Sequence, residues 1–139
     1  VVDIYMPDFK FWDTELADKT CDAPNYPEVA RNAHREMHRQ VGDLVVGDNG
    51  LALRGLLVRH LVLPGGIAGT EDIMAFLAGD ISQKTYVNIM PQYRPCGRSR
   101  EFPELANYPS KSDFQAALLA AKEAGIHRLD QRRRLFMLG

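Results

Sequence analysis

Apolar residues along this chain come in two alternating rhythms, one of strands and one of helices. The first run, Val1-Val2-Asp3-Ile4-Tyr5-Met6, favours extended backbone and passes through Pro7 into Asp8-Phe9-Lys10. Side chains two positions apart share one strand face, so Asp8 and Lys10 fall together at the carboxyl end of that strand. Residues 11–26, rich in Asp, Thr and Pro, read as a loop. Pro27 then stands where helices accept proline, at the first helical position. Val29, Ala33, Met37 and Val41 recur every four residues with Ala30 beside them, predicting one buried helical face that Gly42 ends.

Residues 43–58 predict a β-hairpin. Leu44-Val45-Val46 forms one arm, Gly47-Asp48-Asn49-Gly50 the turn, and a second arm starts at Leu51. That arm continues as Leu56-Leu57-Val58-Arg59-His60-Leu61-Val62-Leu63, a nearly unbroken apolar run typical of a strand covered on both faces. Pro64-Gly65-Gly66 stops it. Thr70 is placed to cap a helix carrying Ile73, Met74 and Leu77, with Glu71 and Asp72 at its positive start. Residues 85–90 form a further strand, and residues 91–97 the loop after it. Ser112 with Gln115 fits a capping box for a helix along Phe114, Leu118 and Ala121, closed by Gly125. Residues 126–129 make a short last strand, and Arg132-Arg133-Arg134 a solvated basic end.

Strands alternating with helices imply an α/β fold with a parallel sheet. The expected architecture is a single domain over residues 1–139. Its parallel βα units form about half of a partial (β/α) TIM-like barrel, with the hairpin inserted and helices on both faces of the sheet. Such a half has open strand edges that need a missing part of the same protein, a swapped copy or a dimer. The chain opens in mid-strand, so its first strand is expected either to self-associate through its edge or to fray.

Composition narrows the functional classes. A net charge of -1 over 139 residues gives no long-range attraction to nucleic acid or to an anionic membrane. No apolar run approaches the roughly 20 residues of a membrane-spanning helix. Cys21 and Cys96 are too few and too far apart for a disulfide framework or a structural zinc site, which makes a reducing cytoplasm the expected compartment. Cys96 is a candidate reactive thiol only through Arg94 and Arg98 nearby.

Three clusters invite a chemical reading. His34 and His38 stand at i and i+4, a spacing that can grip a metal, but without the glutamate that follows the first histidine of zinc proteases. They flank the apolar stripe and read as boundary histidines on a surface helix. Gly65-Gly66-Ile67-Ala68-Gly69-Thr70 leads into a helix as phosphate cradles do, yet Glu71 and Asp72 would repel an anion, and a tight turn with close backbone approach is the simpler reading. Asp8, Lys10 and Arg59 interrupt apolar strands that are expected to be covered, where an unpaired charge is costly. They either pair structurally or meet a ligand of both charge signs, such as an amino-acid moiety held through its carboxylate and ammonium.

Met6-Pro7-Asp8-Phe9-Lys10, then Val58 to Gly66, then Asn88-Ile89-Met90-Pro91-Gln92-Tyr93, resemble in order the later strands of radical S-adenosylmethionine (SAM) enzymes. The nearest branch is similar to the pyruvate formate-lyase activating enzymes and their uncharacterised relatives. The resemblance covers roughly positions 1 to 97 and implies a partial (β/α)6 barrel. It also implies a four-iron four-sulfur cluster that reduces SAM to a 5′-deoxyadenosyl radical, which abstracts hydrogen from a glycine of a partner enzyme. By position, Asp8 corresponds to an acid near the methionine moiety, Lys10 to the lysine of the same motif, and Arg59 to the arginine near the SAM carboxylate and ribose. The family's late Pro-Tyr-His run, which contacts SAM, is Pro91-Gln92-Tyr93-Arg94 here. That implies Gln92 and Tyr93 as cofactor-binding residues and leaves Tyr93 or Arg94 at the histidine position. The three cluster cysteines are absent, so the resemblance implies the C-terminal half of such an enzyme, not catalytic and not holding a cofactor tightly by itself. The alternative is a non-catalytic α/β binding or scaffold module whose charges merely pair.

Overall fold

The computed structural model describes residues 2–93 and 101–130. Arg94, Cys96, Arg98 and Arg132-Arg133-Arg134, named above for their chemistry, lie outside the described residues. The elements are β1 (Ile4–Tyr5), α1 (Thr14–Cys21), α2 (Tyr26–Val41), β2 (Val45–Val46), β3 (Ala52–Leu61), α3 (Thr70–Phe76), β4 (Tyr86–Met90), α4 (Lys111–Ala124) and β5 (Arg128–Leu129). The strand order is β1-β3-β4-β5, with every one of these pairs parallel, so the fold is α/β with a parallel sheet. β2 pairs antiparallel with the start of β3, which is the expected hairpin, its turn closed by Gly47 N–H donating to Leu51 O.

β3 is the spine of the sheet. Leu56, Val58, His60 and Val62 point to one side and are at most 2% exposed. They pack with Ala30 of α2, Ile73 and Met74 of α3, Val87 and Ile89 of β4, and Ala117 and Ala121 of α4. Three helices thus cover one face, and the expectation of helices on both faces is not met. On the opposite face Leu57 is buried, but Arg59 is exposed and Asn88 and Met90 are half-buried. A smaller apolar cluster of Phe11, Ala17, Leu63, Ala68 and Leu105 closes the carboxyl end of the sheet.

Several local expectations are corrected. Residues 11–26 contain α1, which Asp13 caps by accepting from Leu16 N–H. Only Ala17 of this short helix is buried, so it has no apolar stripe to betray it. In α2 the buried positions are Pro27, Ala30 and His34, whereas Val29 is 60% exposed. The capping box of α4 is Ser110 with Asp113, two residues before the expected pair. α3 begins after Gly69, and the Thr70 side chain is turned to another partner.

Glycine matters at two close approaches. Gly55 has φ +111°, and a Cβ there would overlap the Asp43 carbonyl where the hairpin folds back on β3. Gly69 has φ +77°, and its Cβ would come within 2.7 Å of Trp12 Cβ. The glycine-rich segment is therefore a close-approach turn, reinforced by Trp12 N–H donating to Ala68 O at 3.0 Å.

Candidate functional site at the carboxyl ends of the strands

β1 does not end its pairing at Tyr5. Arg59 N–H donates to Pro7 O and Phe9 N–H donates to Arg59 O, both at 2.9 Å, so Asp8 is locked opposite Arg59. Phe9 goes the other way, fully buried against His34, Phe76 and Trp12. Burying Phe9 inward forces its neighbours Asp8 and Lys10 outward, because successive strand side chains alternate.

Asp8, Lys10, Arg59 and Gln92 line one cleft of about 410 Å³, with Leu61 and Met90 as its apolar walls. Arg59 Nε lies 3.4 Å from Asp8 Oδ1, and its Nη2 comes within 3.9 Å of Met90 Sδ. Both charged side chains are open to solvent, 44% and 41% exposed. This corrects the expectation that they lie in strands covered on both faces. Lys10 makes no ion pair among the described residues. The cleft therefore offers one carboxylate, two cations and a side-chain amide without the desolvation cost of a buried charge cluster.

Tyr93 is brought near but not in. Its hydroxyl donates to Leu105 O at 2.7 Å, and it lines an adjoining apolar pocket of about 240 Å³ with Phe11, Leu63, Phe102 and Leu105. Lys10 and Leu61 are shared by the two cavities and form the wall between them. Lys19 braces the far side, paired with Glu104 at 2.9 Å and lying over the Phe102 ring.

The two histidines of α2 do not converge, and the reading of both as boundary residues fails for one. His34 is 1% exposed, its Nδ1 donating to Ala30 O at 2.6 Å, and its Nε2 has no partner among the described residues. Burial pushes its pKa down, against the smaller opposing pull of the Ala30 carbonyl. His38 Nε2 instead meets Asp43 Oδ1 at 2.9 Å. Burial works to raise the Asp43 pKa, but hydrogen bonds from His38 and Ser82 hold it low. Among the described residues no group of three His, Cys, Asp or Glu side chains could hold a metal ion.

A larger cleft of about 480 Å³ lies between the glycine turn and α4. Glu71, Asp72 and Asp113 line it, so it is unsuited to an anion, and it shares no residue with the cleft around Asp8.

Sequence reasoning missed Tyr26 as part of the site. Its hydroxyl sits on the outer edge of β1, accepting from Lys10 N–H at 2.8 Å and donating to Asp8 O at 3.2 Å. Burial raises the pKa of this phenol, although the Lys10 N–H works to lower it. The local signal was confined to an aromatic residue just before Pro27, which gives no hint of a partner 16 residues back along the chain.

No family model matches the chain, and no solved structure matches it. A curated protein of Methanocaldococcus jannaschii, described as uncharacterized, is 28% identical over 127 residues, which is 91% of this chain and 33% of the relative. The chain thus spans about a third of the length of the curated relative it matches. No helix among the described residues is long and apolar enough to cross a membrane.

Proposed function

We propose that this chain is the C-terminal, SAM-binding part of a radical SAM enzyme similar to the pyruvate formate-lyase activating enzymes. The observation that carries the reading is the meeting of Asp8, Lys10, Arg59 and Gln92 in one open cleft at the carboxyl ends of parallel strands. Ligands of parallel α/β folds bind at those ends.

The residues fit the amino-acid end of SAM. Asp8 takes the ammonium, Lys10 and Arg59 take the carboxylate, and the Gln92 amide serves the nucleoside part. Because Asp8 and Arg59 already pair, the ligand's two charges replace that pair instead of entering an unbalanced field. When bound, SAM would supply the hydrogen-abstracting group. This chain's residues hold and orient its methionine end. They do not fit the iron–sulfur cluster: the chain carries two cysteines, Cys21 and Cys96, and the cluster needs more thiolates than two. The cluster belongs in this reading to the preceding half of the same protein, and the substrate to a glycine of a partner protein.

The test begins with the coding sequence upstream of Val1, where a Cys-x3-Cys-x2-Cys motif is expected. The whole protein, reconstituted anaerobically with iron and sulfide, is then expected to release 5′-deoxyadenosine from SAM, and Asp8→Asn to abolish the release. No such motif, or product formation unaffected by Asp8→Asn, overturns the reading. The second reading, a non-catalytic binding or scaffold module, is favoured by the Asp8–Arg59 pair itself, which satisfies both charges without a ligand.

A further inference from the structure

Asp8 and Lys10 need fixed backbones if their side chains are to meet one ligand, and β3 holds only the inner edge of that segment. On the inner edge Arg59 takes the Pro7 carbonyl and offers its own carbonyl to Phe9 N–H. That is the pattern of a parallel ladder, in which one residue of the neighbour binds the C=O before and the N–H after the residue it faces. On the outer edge the groups that await such a neighbour are Asp8 O and Lys10 N. The Tyr26 hydroxyl binds both.

We infer that the Tyr26 hydroxyl is a positioning group for the site, standing in for one residue of a neighbouring parallel strand and so fixing the directions of Asp8 and Lys10. A phenol can do this because its oxygen accepts along one lone pair while its hydrogen donates elsewhere. The ring is anchored: it is half-buried at the first residue of α2 and meets the Phe11 ring edge to face, with centroids 6.2 Å apart. Pro27, buried directly behind it, sets the helix start that aims the ring across the strand edge. A further strand added at this edge can therefore pair as far as the Asp8 N–H but not at Asp8 O and Lys10 N–H, because Tyr26 occupies that rung. The bracket itself is independent of the ligand, whereas its consequence for binding rests on the reading of the cleft as a SAM site.

Amide hydrogen exchange on this chain tests the bracket. In the wild type, Lys10 N–H should be protected to a degree comparable with Phe9 N–H, which donates to Arg59 O. Tyr26→Phe keeps the ring and removes the hydroxyl, and should speed exchange at Lys10 at least ten-fold while leaving Phe9 protected. An unprotected Lys10 N–H in the wild type overturns the inference without any variant. Unchanged Lys10 protection in Tyr26→Phe overturns it as well, and equal loss at Phe9 and Lys10 shows general fraying in place of positioning. The ligand arm compares SAM with 5′-methylthioadenosine, which lacks the amino-acid moiety, by chemical-shift titration. Tyr26→Phe should weaken SAM binding about ten-fold and leave 5′-methylthioadenosine unchanged, whereas equal weakening of both denies a positioning role. This arm uses the whole protein, reconstituted with iron and sulfide: if it shows no SAM binding, or Asp8→Asn does not affect that binding, the reading of the cleft falls while the exchange result still decides the bracket.

Discussion

Arg59 and His60 are neighbours on β3 with opposite surroundings. Arg59 stands on the open face, 44% exposed, with Asp8 at 3.4 Å and room for a ligand. His60 is fully buried on the helix-covered face, with both ring nitrogens engaged. Its Nδ1 faces the Phe9 carbonyl at 2.8 Å and must donate, which leaves Nε2 to accept from the Thr70 hydroxyl, also at 2.8 Å. One residue step along a strand thus separates a group available to a ligand from one committed to holding the fold. His60 ties together the segment carrying Asp8, the central strand and the start of α3. The polar cleft on one face is therefore held in shape by a hydrogen-bonded histidine on the other.

Breaking the buried side of this contrast should have the largest effect. His60→Ala removes a packed ring and leaves the Thr70 hydroxyl and Phe9 carbonyl short of a partner, at an expected cost of about 3 kcal/mol. Urea unfolding reads it, and a midpoint within error of wild type would show that the histidine is not a structural tie.

Acid should attack the same face. His34 and His60 both have pKa values pushed below their ordinary 6.5 by burial. The folded protein keeps them neutral while the unfolded chain protonates them as pH falls. Their contribution is thus fully present above about 6.5 and is lost as pH drops below it toward the lower folded values. The expected slope is at most about 1.4 kcal/mol per pH unit for each histidine. Urea midpoints that stay level between about pH 7.5 and 5.5 would contradict this.

The smallest stability effect belongs to the open face. Arg59→Met should change stability by less than about 1 kcal/mol, because an exposed pair at this distance contributes little. The same substitution should weaken SAM binding markedly, read by titration. A large loss of stability would instead favour the scaffold reading, with Asp8 and Arg59 serving the fold.

Much of the architecture was legible in the residues because its causes are local. The Gly47-Asp48-Asn49-Gly50 turn, the unbroken apolar run of β3 and the Pro27 and Gly42 ends of α2 each rest on a few adjacent side chains. α1 escaped notice because a short helix with one buried residue carries almost no periodic signal. The α2 stripe was misread at Val29 and His34 because a four-residue repeat places the apolar arc only to within one position. The packed face was settled by the Phe9 ring, 4.9 Å from His34.

The residues alone determined that strands and helices alternate, that the strands are parallel in kind, and that Asp8, Lys10, Arg59 and Gln92 fall near strand carboxyl ends. Tertiary structure decided that these four share a cleft while Tyr93 is turned aside to Leu105, that Arg59 is exposed while His60 is buried, and that Tyr26 closes the edge of β1. Periodicity and turn chemistry act over a few residues and can be read in order along the chain. A contact such as His60 with Phe9, separated by 51 residues, exists only once packing has chosen which face of each element is covered.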